Sequence, residues 1–132
     1  MTPETIELRV VAVRGEQYLT KTAQYGIVYN RGSSWVNGLV VVKALPNGRE
    51  FSRYGFSVGR RVGEAVVRNR VKRLLREILR QTLLQPGWDI IFIARPPIAG
   101  RNYVDLEKSV KELLFRAGLL AGEYEGVGSK ID

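Results

Sequence analysis

The stretch from Phe56 to Arg80 leaves this chain few ways to fold. It holds eight Lys/Arg against two acids, so it carries +6 of the chain's +8 in about a fifth of the length. Within it Val67, Val71, Leu74, Leu75, Ile78 and Leu79 recur at helical spacing and fall on one stripe. Arg68, Lys72, Arg76 and Arg80 step every four residues and, with Arg70 and Arg73, fill the opposite arc. The spacing predicts an amphipathic helix over about 63–83. One of its sides needs a core and the other needs a polyanion.

A run of cations is often no more than a solvated face. Here acidic partners one turn away are nearly absent, so the charges repel one another until something neutralises them. Nucleic acid fits best. A membrane surface fits less well, because the aliphatic stripe is what a protein core would use. Arg outnumbers Lys in the run, which suits bidentate phosphate recognition.

At 132 residues the chain predicts one domain able to bury a modest core. It has no Cys, hence no disulfide framework and no thiolate chemistry, which fits a reducing cytoplasm. No apolar run reaches a membrane span, and the N-terminus lacks the basic-then-apolar pattern of a signal peptide. A cytoplasmic protein without membrane contact is expected. With no His and only Asp89, Asp105 and Asp132 as aspartates, a His-based nuclease is excluded and a carboxylate metal cluster is hard to assemble. Neither catalytic nor metal-binding side chains are expected in this chain.

In chain order, residues 5–13 read as a short strand or a partly ordered extension. A short helix follows, with Thr22 as N-cap and Gly32 as a left-handed C-terminal residue. Trp35 to Leu45 reads as one strand, Pro46-Asn-Gly-Arg49 as a hairpin turn, and about Glu50 to Gly59 as the returning strand. After the basic helix, Asp89 to Ala94 reads as a buried strand stopped by Pro96-Pro97. The last helix runs from about Tyr103 to Ala117, ended by Gly118, with Leu106, Val110, Leu113 and Leu114 as its stripe. The order predicts an α+β fold of two layers.

Smaller features carry weaker signals. Gly59-Arg-Arg-Val-Gly63 can be a tight basic loop whose amides approach phosphate, but it lacks the ending of a nucleotide-binding loop. Tyr25 and Tyr29 read either as half-buried core aromatics or as a platform on which unpaired bases stack. Trp35 and Trp88 read as packing, and Asp89 and Asp105 as partners of basic groups or as caps.

The run from Phe56 to Glu77, with Arg68-Asn69-Arg70 followed by Lys72-Arg73 at its centre, closely resembles the signature of the bacterial ribonuclease P protein family. The likeness extends to Leu19–Ser34, similar to that family's first helix and its exit, to Asp89–Pro96, and to the last helix. It covers about residues 18–118, which sets apart an N-terminal extension, 1–17, and a loosely ordered tail, 119–132.

The resemblance implies a two-layer α-β-β-β-α-β-α sandwich with a left-handed βαβ crossover, like the second domain of a small-subunit ribosomal protein. It implies an accessory subunit of a ribonucleoprotein endonuclease in which a large RNA, with Mg²⁺ held mainly by that RNA, removes the 5′ leader of precursor tRNA. Arg60, Arg61, Arg68, Asn69, Arg70, Lys72, Arg73 and Arg76 would contact the ribonuclease P RNA. Tyr25, Tyr29, Ser57 and Arg95 would line a cleft for the precursor's leader. No protein partner is required. Four features depart from the family pattern: Gly59 replaces a usual Ser, Tyr18 a common basic residue, Lys43 or Val40 falls where a third cleft aromatic is often found, and Pro96 follows Arg95 where a Lys is common, which thins the positive charge at the cleft's edge. The alternative, a non-catalytic RNA-binding module such as a ribosomal protein, shares the same basic helix.

Overall fold

A computed structural model describes residues 18–121. The elements are α1 (Thr22–Arg31), β1 (Ser33–Val36), β2 (Val40–Pro46), β3 (Arg53–Ser57), α2 (Ala65–Arg80), β4 (Trp88–Ala94) and α3 (Tyr103–Arg116). Single 3₁₀ turns, Arg60–Val62 and Pro96–Ile98, precede α2 and follow β4. The α-β-β-β-α-β-α order and the α+β class stand as expected.

The four strands lie in the order β1-β2-β4-β3. β2 is antiparallel to both β1 and β4, whereas β3 and β4 are parallel neighbours joined through α2. β4 is central, and its run Asp89–Phe92 is buried throughout. A strand covered on both faces needs a continuous apolar run rather than alternation, and Ile90-Ile91-Phe92-Ile93 is one.

Two corrections concern the turns. The segment read as one strand from Trp35 to Leu45 is a hairpin, with residues 37–39 as its connection. Asn37 makes the turn: its Oδ1 accepts from the Leu39 and Val40 amides at 3.1 and 3.0 Å. The second Asn-Gly pair, read as a hairpin, does turn the chain, with Gly48 at φ 71°. The strands on either side of it do not pair, because β4 inserts between them. Asn47 instead ties that turn down, donating to Asp89 Oδ1 at 2.9 Å. Asp89 also receives both Nε and Nη2 of Arg53, at 2.9 and 2.6 Å, forming a nearly buried bidentate pair.

The sheet's two faces do different work. On one, Val40, Val42, Ala44, Ile90 and Phe92 meet the stripes of α2 and α3 in the main core, with Trp35 and Trp88 packed at its margin. This is the two-layer body of the fold. On the other face Val28 of α1 packs with Leu19 and Ile91, bordered by Tyr25, Leu45 and Ile93. Burying one such aliphatic side chain contributes about 1.5–3 kcal/mol, so both sets of contacts are needed to hold so small a chain together.

Two helix ends differ from expectation. α1 begins one residue earlier than a Thr22 cap requires: Lys21 is the N-cap, and the Gln24 side chain accepts from the Thr20 and Lys21 amides at 2.8 and 2.9 Å. Gly32 is extended, at φ −76°, rather than left-handed. Glycine is needed there for space, since a Cβ would fall 2.6 Å from Val28 O and 2.9 Å from Ala44 O. Gly118 does adopt φ 74° and ends α3 as expected.

The domain also runs past 118. Leu119 is fully buried, Leu120 bridges Leu84, and the Ala121 amide donates to Leu83 O at 2.9 Å. The tail set apart at 119 therefore starts too early, because an apolar pair Leu119-Leu120 belongs to the core. The possible strand at 5–13 lies outside the described residues.

Candidate RNA-binding face and cleft

α2 presents its cations because its stripe is fully committed. Val71, Leu75, Ile78 and Leu79 are buried, Val67 and Leu74 half-buried, and the remaining positions have nowhere to turn but outward. Asn69, Arg73 and Arg76 are exposed. Arg68 and Lys72 lie half-buried on one flank, and Arg70 lies on the other, where its Nη2 donates to Arg101 O at 3.0 Å. Glu77, the one acid of the helix, is taken by Arg80 and by Gln81 Nε2. None of Arg60, Arg61, Arg68, Arg70, Lys72, Arg73 or Arg76 forms an ion pair with another described residue.

Arg68 is the most telling of them. Its Nε is the one buried side-chain nitrogen or oxygen among the described residues without a hydrogen-bond partner. A buried donor left unmade costs about 1–3 kcal/mol, and more when charged.

Ahead of the helix, Val62 is buried and anchors the 3₁₀ turn, which leaves Arg60 and Arg61 exposed. The Val62 and Gly63 amides are spent inside that turn, on Gly59 O at 3.0 Å and Arg60 O at 3.1 Å. The loop therefore offers guanidinium groups to a phosphate, and those two amides are not available to cradle one. Gly63 sits at φ 155° with room for no Cβ, since one would lie 2.9 Å from Val67 Cβ.

The cleft candidates gather on the opposite side of the sheet. Tyr25 lies across Gly55 of β3 so closely that a Cβ there would overlap its phenol oxygen. The missing side chain in β3 makes this seat, a meaning that glycine inside a strand often has. Burial raises the Tyr25 phenol above its ordinary value, a Phe56 backbone hydrogen bond opposes this, and Tyr29 adds a smaller rise. The phenol therefore stays neutral. Tyr29, one turn further along α1, is 38% exposed. Ser57 stands on β3 in the same row as Gly55, half-buried. Arg95 is displaced from these groups: its Nη1 donates to Asn37 O at 2.7 Å, at the hairpin end.

The floor of this side is clarified by β2. Val40 is fully buried on the core face, so it cannot line the cleft. Lys43 is on the α1 side, paired in register with Ser34 and with Ile91, which packs against Val28 of α1.

No three His, Cys, Asp or Glu come together among the described residues. Asp89 is occupied by Arg53 and Asn47, and the acids of α3 by neighbouring cations. This donor set does not fit a magnesium site. No described helix is long and apolar enough to cross a membrane.

The basic helix packs on one side of the sheet and the tyrosine-bearing α1 on the other. The family model for ribonuclease P matches residues 13–118. The chain belongs to the ribonuclease P protein family. It is 46% identical over 114 residues to the ribonuclease P protein component of Dehalococcoides mccartyi, covering 86% of this chain and 95% of that one. Against the component from Clostridium kluyveri it is 41% identical over 105 residues, covering 76% and 94%. Among solved structures it resembles the Staphylococcus aureus ribonuclease P protein, with TM-score 0.71 and 30% identity over 79% of this chain and 97% of that one. The Thermotoga maritima protein gives TM-score 0.70 and 30% identity, over 75% and 96%. The family match begins at residue 13, inside the segment that the motifs alone set apart as an extension. As a member of this family the chain is a protein subunit of ribonuclease P.

Proposed function

We propose that this subunit grips the ribonuclease P RNA with Arg60, Arg61, Arg68, Asn69, Arg70, Lys72, Arg73 and Arg76, and holds the 5′ leader of precursor tRNA between α1 and the sheet. The observation that carries the reading is a helix face with five cations that pair with no described acid, beside a core that leaves them nowhere else to go. Two polyanions, the RNA subunit and its substrate, repel each other. Cations fixed on a rigid helix offset that repulsion without ordering costs at the moment of binding. On the other side of the sheet, Tyr25 and Tyr29 offer aromatic faces on which unpaired leader bases stack, each for about 1–3 kcal/mol. Ser57 supplies a hydroxyl in the same row, and Arg95 a cation at the cleft's hairpin end.

On this reading the bond-breaking chemistry belongs to the RNA subunit, with the magnesium held mainly there. The protein contributes position and charge. Hydrolysis of the leader would then need no general acid or base from this chain, in keeping with its lack of histidine. Work of this kind is cytoplasmic and needs no membrane and no second protein.

Reconstitution tests the proposal. Protein, a bacterial ribonuclease P RNA and precursor tRNA are mixed at low Mg²⁺. The expected result is weak cleavage by RNA alone, none by protein alone, and cleavage at the mature 5′ end by the mixture. Failure of the protein to help would leave a plain RNA-binding module, and cleavage without RNA would make the chain a nuclease.

A further inference from the structure

The α1-facing side of β2 carries a cation that no described residue neutralises. Lys43 stands at the middle of β2, half-buried, opposite Ser34 on β1 and Ile91 on β4. Its Nζ donates to Ser34 Oγ at 2.7 Å, a neutral partner, and it enters no ion pair with a described residue. Across α1 and all four strands the only acid is Asp89, which already holds Arg53. The far end of α1 presses on this spot, for Gly32 lies directly against Ala44 O, next to Lys43. A helix C-terminus favours a cation nearby. Tyr29, the more exposed of the two tyrosines, is on the last turn of the same helix.

We propose that Lys43 grips a backbone phosphate of the leader, so that this cleft reads the leader by charge at its floor and by stacking only along α1. The inference rests on the leader-cleft reading above. An ammonium on a flexible stem is a point charge with three donors and carries no base preference of its own. Binding at this position is therefore indifferent to the base and sensitive to salt.

The test uses the reconstituted holoenzyme with precursor tRNA, mature tRNA, and a precursor series in which one leader phosphate at a time is a neutral methylphosphonate. K43Q should weaken precursor binding by about fivefold and leave mature tRNA unchanged, while K43R keeps wild-type affinity. One methylphosphonate position should weaken the wild type by a similar factor and have no further effect on K43Q. The slope of log K against log salt should fall by about 0.7 in K43Q, the value for a single strand. If the holoenzyme favours precursor over mature tRNA yet K43Q binds both as wild type does, Lys43 has no such role. The phosphate contact is likewise overturned if every methylphosphonate acts equally on wild type and K43Q, since a structural lysine would behave so. A holoenzyme that does not distinguish precursor from mature tRNA removes the leader cleft itself, and this inference with it.

Discussion

α2 and α3 lie against the same face of the sheet and bury stripes of the same kind: Val71, Leu75, Ile78 and Leu79 from one, Leu106, Val110, Leu113 and Leu114 from the other. Their outer faces diverge. In α3, Lys111 meets Glu107 at 3.2 Å and Arg116 meets Glu112 at 3.8 Å, while Arg101 just ahead of the helix meets Asp105 at 3.5 Å. Each pair spans one turn, the spacing that stabilises an isolated helix by a few tenths of a kcal/mol. α2 carries six cations and one acid, and repeats Arg68, Lys72 and Arg76 at the spacing where like charges destabilise by similar amounts. A helix selected for stability alone looks like α3. α2 gives up local stability on its outside for a surface that becomes favourable only against an anion.

The comparison fails first if the two stripes are not equivalent. Leu75→Ala and Leu113→Ala should each destabilise the protein by about 2–5 kcal/mol in urea unfolding. A small loss at either site would mean that its helix is not part of the cooperative core. Next in size, the combined Arg68→Ala, Arg73→Ala and Arg76→Ala variant should lose about a hundredfold in affinity for ribonuclease P RNA in filter binding. Its unfolding free energy should not fall below that of wild type, because no described ion pair is lost and the unpartnered Arg68 Nε is removed together with its cost. A large drop in stability would show these residues to be structural.

The cleft provides a separation of the two roles. Tyr29→Ala should weaken precursor tRNA binding by the holoenzyme by about 1–3 kcal/mol and leave the affinity for the RNA subunit unchanged. Equal loss on both would place Tyr29 on the RNA-subunit side. The smallest effect belongs to α3: Lys111→Ala removes one i,i+4 pair and should cost about 0.3–0.5 kcal/mol of stability with no change in RNA affinity.

How much of this was legible in the sequence follows from the range of each interaction. The stripe of α2 and its cationic arc are local patterns, and the structure keeps every stripe residue. β4 was readable as a buried strand from its unbroken apolar run. Its place between β2 and β3 was not, because strand order depends on pairings distant in sequence. Of the two Asn-Gly pairs, 47–48 reads as a hairpin and 37–38 falls inside a strand by sequence, and the side-chain contacts of Asn37 and Asn47 reverse that assignment. At Gly32 the sequence signal was right about glycine and wrong about the reason, since the constraint comes from Ala44 O on another element.

The site shows the same division. The cations and tyrosines were readable as types and spacings. That Arg70 is steered by Arg101 O, 31 residues away, and Arg95 by Asn37 O, 58 away, was not. Nor was the Tyr25 seat on Gly55, although a glycine in the middle of a strand was the available clue.

Salt dependence separates the outer face of α2, expected to meet the RNA, from that of α3. The affinity for ribonuclease P RNA is measured from low to high salt for wild type, for single alanine variants at Arg68, Lys72, Arg73 and Arg76, and for Lys111→Ala and Arg116→Ala. Each α2 variant should flatten the slope of log K against log salt by about 0.7–0.9, and the α3 variants should leave it unchanged. Equal slopes for the two sets, or a change confined to α3, would contradict the account.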